Sequence, residues 1–231
     1  MDVYEALYTT RAMRRVRPDP IPLEVQARML DAAIRAPSGG NSQNWRFLLA
    51  DDADVIGRIG PLYRHSIDQL WETVYAERLA AAEADPEADE SIQMLKVQRS
   101  AQWLADHFEE VPLFLFGFVQ SDPTGGSIFP AIWSAQLAAR AEGVGSSITA
   151  VLGFFHPKEV LEILGVPIDE GWVMACCVSF GYPTGHWGIA PRRPVSEVSF
   201  RNRWGSPAGL AIDQPLWHPW EQPREALPKA E

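Results

Sequence analysis

Apolar residues fall into short periodic runs separated by proline, glycine and acidic breaks. Val3, Ala6 and Leu7 recur at helical spacing and predict a short helix over residues 2–10. Pro18, Pro20 and Pro22 then fix φ and remove backbone donors, which predicts an extended, turn-rich link. Leu23, Val25, Met29, Leu30, Ala33 and Ile34 give a second helix its apolar side, and it stops before Pro37. Residues 38–42 form a small-residue loop, followed by a strand at 45–50.

From about 61 to 110, Trp71, Tyr75, Leu79, Leu95 and Trp103 are set among many charges, with an acidic break at 85–90. This pattern predicts two or three amphipathic helices joined by a mobile, solvated turn. Residues 111–120 (VPLFLFGFVQ) are almost uninterruptedly apolar, as in a strand covered on both faces. A helix is expected at 132–142, ending at Gly143, then a further apolar segment from 146 to 149. A short helix at 157–164 closes at Gly165, and 173–180 is the last core strand. No internal repeat or dividing linker is visible. The expected architecture is one α+β domain over 1–204, a mixed or antiparallel sheet flanked by helices. A Pro- and Trp-rich tail at 205–231 either lies along this subunit or its partner, or is a disordered end.

Composition narrows the function classes. Hydrophobic content of 46% with 22% charged residues is that of a globular chain. There is no apolar stretch of about 18 residues to span a bilayer. The start lacks the basic and apolar regions of a secretory signal, so a cytoplasmic location is expected, with no membrane partner. A net charge of −10 argues against nucleic acid. Basic residues are nevertheless clustered, with Arg11, Arg14, Arg15 and Arg17 near the start and Arg192 and Arg193 far along the chain. Such patches on an acidic protein suit one small anionic ligand. Cys176 and Cys177 are adjacent in a predicted strand, where a disulfide would be strained, and read as small core residues. No metal cluster is indicated. His65, His107, His156, His186 and His218 are scattered and read as structural or exposed, and no Ser-His-Asp or Cys-His arrangement stands out.

Three segments carry candidate chemistry. In the first, Arg11 and Arg15 stand four apart, on one face if helical, and their guanidinium forks suit phosphate; a solvated helix end is the alternative. In the second, residues 36–47 (APSGGNSQNWRF), small residues allow close backbone approach, and Asn41 and Gln43 supply donors and acceptors. That mixture suits a heterocycle of alternating carbonyls and ring nitrogens, and equally a polar loop before a strand. In the third, Gly181-Tyr182-Pro183 and the run 190–194 (APRRP) hold Arg192 and Arg193 between prolines.

In sequence and order, these segments resemble the nitroreductase family. The resemblance rests on the N-terminal basic motif, the Ala-Pro-Ser-x-x-Asn-x-Gln-x-Trp motif at 36–45, the Gly-rich turn at 143–147 and the Gly-Tyr-Pro followed by basic residues and proline. It covers roughly residues 4 to 204. It implies an FMN-dependent oxidoreductase, homodimeric, with each flavin shared across a two-fold interface. By the resemblance, Arg11 and Arg15 hold the FMN phosphate and nearby flavin groups, with Ala12 and Met13 alongside. Pro37, Ser38 and Gly39 correspond to the loop against the flavin, with Asn41 and Gln43 as polar neighbours. Thr149, Ala150 and Leu152 fall where backbone amides pass the flavin ring, and Arg192 or Arg193 meets the phosphate. Met13 stands where the family has Ser, Asn44 where Pro is common, and a flavin-ring donor from the middle helices has no match in 61–110. The implied reaction is ping-pong: NADH or NADPH, as transient donor, reduces flavin N5, and a small planar acceptor such as a nitroaromatic or quinone takes the electrons. No protein nucleophile or dedicated acid is needed. The lack of a Gly-x-Gly-x-x-Gly element after a strand agrees with a visiting nicotinamide. The alternative is a flavin-binding or flavin/deazaflavin-processing protein of the same fold, without general nitroreductase turnover.

Overall fold

The computed structural model of the chain describes residues 1–217. They fall into two compact units: Arg11–His186, and Met1–Thr10 together with the segment from Trp187 onward.

The larger unit is built on a four-stranded sheet. Its strands are β1 (Trp45–Ala50), β2 (Leu113–Val119), β3 (Gly145–Thr149) and β4 (Val173–Gly181), in the order β1-β2-β4-β3. Every neighbouring pair is antiparallel, which resolves the choice between a mixed and an antiparallel sheet. All seven residues of β2 are buried, because helices cover both faces of the sheet. Phe114, Phe116 and Phe118 point into one core, and Leu113, Leu115 and Val119 into the other. In β4, Cys176 pairs with Gly117 and Met174 with Phe118, leaving Ala175 as an extra residue at a bulge. Cys176 and Cys177 therefore enter opposite cores as free, buried thiols.

On one face lie α2 (Leu23–Ala33) and α6 (Ile128–Ala141), in mutual contact. Ala131, Ala135 and Ala139 are fully buried and let the helices approach closely. Helix α6 begins a turn before the predicted 132, since Asp122 Oδ2 accepts the N–H groups of Ser127 and Ile128, each at 3.0 Å. The other face carries α3 (Ala53–Gln69), α4 (Ala76–Ala84), α5 (Asp89–Asp106), α7 (Val151–Phe155) and α8 (Pro157–Ile163). Helix α3 starts well before the expected 61. Asp52 Oδ1 caps it by accepting from Asp54 and Val55 N–H, and Ile56, Ile59, Tyr63 and Ile67 bury one side across the interior Pro61. A π-helical turn, Leu70–Val74, extends it, closed by the Tyr75 N–H donating to Leu70 O at 3.1 Å.

The smaller unit holds α1 (Val3–Thr9), capped by the Asp2 carboxylate, and one short turn, α9 (Val195–Val198). The Leu216 N–H donates to the Tyr8 hydroxyl at 3.1 Å. The rest of the predicted tail, 218–231 with His218 and Trp220, lies outside the described residues.

Glycine marks a close approach on β4's helical face. A Cβ on Gly153 of α7 would lie 2.7 Å from the Met174 carbonyl oxygen, whereas one on Gly57 of α3 meets nothing within 4 Å. Gly153→Ala is expected to destabilise the protein by about 1–3 kcal/mol, as overpacking does. Gly57→Ala should gain roughly 0.5–1 kcal/mol from helix propensity. Urea unfolding of both variants checks the pair of signs.

Candidate active site

The N-terminal basic motif is laid along the end of the sheet by backbone bonds. The Met13 N–H donates to Ser146 O at 2.9 Å, and the Arg17 N–H to Tyr182 O at 2.8 Å. Ala12 forms a parallel bridge to Ser146 of β3, and Val16 an antiparallel one to Pro183. Met13 and Val16, three residues apart, are buried, while Arg11 and Arg15 stay exposed. The segment is extended, not helical, so the four-residue spacing of Arg11 and Arg15 does not place them on a helix face.

Arg11, Ala12, Met13, Arg14 and Arg15 line a cavity of about 340 Å3, completed by Ser100 of α5 and the turn at 184–186. Three guanidinium groups face it, and no carboxylate does. The Arg15 carbonyl accepts from the Thr184 N–H at 3.1 Å, and its guanidinium lies 5.7 Å from the Trp103 ring centroid. Trp103 in turn stacks on His107 at 4.1 Å. His186 reaches this cavity; His65 and His156 meet edge to face elsewhere, at 5.1 Å.

Arg14 is the residue that motif reasoning passed over. It is half-buried, donates to Ser100 Oγ at 3.2 Å, and has no carboxylate partner among the described residues. Burial pulls its pKa below the usual arginine value, opposed by its interaction with Tyr63. The group remains cationic, so its unmet charge favours an anionic or carbonyl-bearing ligand. Arg14 also lines a smaller inner cavity of about 130 Å3, with Tyr63, Trp71, Tyr75, Ser147 and Thr149. Tyr63 is 2% exposed and hydrogen-bonded to Thr149; burial raises its pKa far above the ordinary phenol value and keeps it protonated. No sequence signal separates Arg14 from Arg11 and Arg15; partial burial distinguishes it, whereas the exposed Arg17 pairs with Asp19.

The other predicted positions divide into three groups. Thr149 reaches the inner cavity, Ala150 is exposed beside it, and the Leu152 side chain is wholly in the core, leaving only its backbone for a ligand. The loop at 37–43 lines neither cavity of its own chain. There, Ser38 Oγ accepts the Gln43 N–H at 3.1 Å, the Gly39 N–H donates to Ser127 Oγ at 3.4 Å, and Gln43 Nε2 donates to Asn41 Oδ1 at 3.2 Å. Asn41 and Gln43 hold positive φ of 54° and 50°, a conformation that costs about 1 kcal/mol or more for a non-glycine residue and recurs at ligand-binding loops. Arg192 and Arg193 belong to the smaller unit. Arg192 donates to Pro191 O at 2.9 Å and lines a cavity of about 490 Å3 with Tyr8 and Ile212, and Arg193 is exposed.

An antiparallel sheet between two helical layers, with a guanidinium-lined cavity at the end of β3, defines the class of protein. The nitroreductase family model matches residues 7–182, and the chain belongs to that family. A 5,6-dimethylbenzimidazole synthase of Rhodospirillum rubrum is 32% identical over 186 residues, 79% of this chain and 82% of that protein. An NADH dehydrogenase of Thermus thermophilus is 40% identical over 203 residues, 86% of this chain and 95% of that one. In structure, an iodotyrosine deiodinase bound to FMN and 3-iodo-L-tyrosine superimposes with a TM-score of 0.68 at 24% identity, covering 87% of this chain and 99% of that chain. No described helix is long and apolar enough to cross a membrane, and no described cluster of His, Cys, Asp or Glu could hold a metal ion.

The cysteines take no part in this site. Burial pushes the Cys176 thiol up to about 12, and Cys177, beside it, well above its ordinary value. Both thiols should be silent to a disulfide reagent at pH 8 in the folded protein, and both should react in strong denaturant. Rapid reaction of either in the native state would contradict their burial.

Proposed function

We propose that the chain is an FMN-dependent oxidoreductase whose flavin phosphate is held by Arg11, Arg14 and Arg15, with the ring directed toward Thr149 at the end of β3. The observation that carries this reading is Arg14: a desolvated guanidinium without a counter-ion, shared by the Arg-lined cavity and the inner one. FMN brings a dianionic phosphate and ring carbonyls, the two kinds of acceptor such a group can satisfy. The flavin, when bound, supplies the electron-transfer chemistry that these side chains lack. Arg14 and Ser100 would orient it, Tyr63 would hold the Thr149 hydroxyl in place, and the aromatic walls would exclude water.

The finer reaction proposed is a specialised one, on the flavin itself or on one small aromatic molecule, rather than broad NAD(P)H-driven nitroreduction. Relatives named as a synthase and as a deiodinase support it, as does the narrow inner cavity. An NADH dehydrogenase among the relatives keeps NADH or NADPH as the candidate electron source. Two copies are proposed to share each site. The loop at 37–43 lines neither cavity of its own chain, so Asn41 and Gln43 would meet the flavin of a second copy.

Purified protein is expected to be yellow, to release FMN on denaturation and to scatter light as a dimer. Arg14→Gln should weaken FMN binding about 10- to 100-fold, the worth of lost charge-assisted hydrogen bonds, with little change in thermal unfolding of the apoprotein. Anaerobic mixing with NADH or NADPH distinguishes the reactions. Slow bleaching without nitroaromatic turnover supports a specialised flavoenzyme, and fast turnover of many nitroaromatics would make the protein a general nitroreductase. Colourless protein that cannot be reconstituted with FMN would sink the flavin reading altogether.

A further inference from the structure

His186 completes the wall of the Arg-lined cavity, beside Thr184 and Gly185. The turn that carries it is tied to the strip by backbone contacts. Thr184 donates to the Arg15 carbonyl through its N–H at 3.1 Å and its hydroxyl at 3.4 Å, and Val16 bridges to Pro183. The place of His186 against the arginines is therefore set without any bond of its own. Its imidazole is exposed and makes no hydrogen bond, ion pair or ring contact among the described residues. The other described histidines are engaged: His65 with His156, and His107 with the Trp103 ring and carbonyl.

The fixed charges around His186 are of one sign. Arg11, Arg14 and Arg15 come from the strip, α5 contributes only the Ser100 hydroxyl, and the turn itself holds no acid. His107 of α5 lies against Trp103, outside the cavity lining. A dianion seated among three guanidinium groups favours one more positive group beside it. Histidine is the side chain that can take on such a charge near neutral pH. An imidazolium also offers two N–H donors, where the neutral ring offers one.

We propose that His186 is a fourth ligand of the anion in this cavity and holds it as the imidazolium, so that a phosphate-type dianion enters together with one proton. The proton comes from solvent, stays on the imidazole and leaves when the anion leaves. By linkage, affinity rises as pH falls toward the range in which the free imidazole is already charged, and levels off below it. For FMN this deepens, and rests on, the reading of the cavity as the phosphate site; for a free dianion it rests on the cavity alone.

Sulfate is the probe, because it stays a dianion from about pH 6 to pH 8.5, whereas a phosphate monoester takes up a proton of its own near pH 6. It is titrated calorimetrically into the full-length protein, freed of any bound flavin, at constant ionic strength. Binding should tighten about three- to tenfold from pH 8.5 to pH 6, the equivalent of up to one pH unit of coupling. Repeating the titration in buffers of different ionisation enthalpy should reveal net proton uptake. His186→Gln should bind sulfate no tighter at pH 6 than at pH 8.5 and take up no proton. His186→Lys should bind at pH 8.5 as tightly as the wild type does at pH 6, because its charge does not titrate in that range. Both variants change one exposed side chain. Sulfate binding that is absent or independent of pH, or proton uptake that survives in His186→Gln, would overturn the proposal. FMN affinity above pH 7, where its phosphate is already a dianion, should fall with rising pH in the wild type and stay level in His186→Gln. A protein that binds FMN but shows no proton uptake with sulfate loses the proposal and keeps the FMN reading. Proton-coupled sulfate binding by protein that takes up no flavin does the reverse.

Discussion

The contact on which the candidate site depends is the docking of the strip 12–17 against the end of the sheet. It is possible because two glycines leave room. A Cβ on Gly145 would come within 2.9 Å of Met13 Cβ, and one on Gly181 within 2.6 Å of Val16 Cβ. With no side chain at either place, Met13 and Val16 bury against the strand backbone, and the Met13 and Arg17 amides find carbonyl partners. With Met13 and Val16 held inward, Arg14 and Arg15 between them and Arg11 before them are left to line the cavity beside the strip. Arg11, Arg14 and Arg15 are thus aimed by the packing of residues that carry no charge.

That docking also explains how an acidic chain can gather three arginines around one cavity. Carboxylates dominate the net charge of −10, yet none lines the cavity of the three arginines. Near a low-dielectric core the local charges count for more than the distant total. Arg14 is drawn furthest into that environment, hydrogen-bonded to a hydroxyl instead of neutralised by an acid. Stability alone would favour a partner carboxylate or an apolar side chain there. A half-buried cation without a carboxylate partner is better explained by a ligand, and the proposed flavin supplies what the position lacks.

The sheet organises the chemistry by separating two cores. The core beneath α2 and α6 is made largely of small and aliphatic residues and contributes nothing to either of the cavities that hold Arg14. The aromatic core on the opposite face carries Tyr63 and Trp71, and its helices supply the inner cavity.

Much of this was legible from residue pattern alone. The all-apolar run in β2, the termination of α2 before Pro37 and the extended proline link follow from periodicity and backbone sterics, which act over a few residues. The order of the four motifs was enough to suggest the family that the matched region then showed. Three things were not local, and only the folded chain decided them. Asp52 and Asp122 start α3 and α6 earlier than their apolar periods suggest, because a capping carboxylate satisfies the first N–H groups, and a first-turn Pro130 has no helical N–H to lose. The strip 11–17 is extended where helical spacing had been allowed, because its amides pair with β3 and the β4 end, more than a hundred residues away. Arg14 looked like one arginine among four until burial distinguished it. The sequence by itself determined which residues are available and which short elements they form; tertiary structure alone decided which charges lose their water, because desolvation depends on neighbours that meet only when the chain is folded.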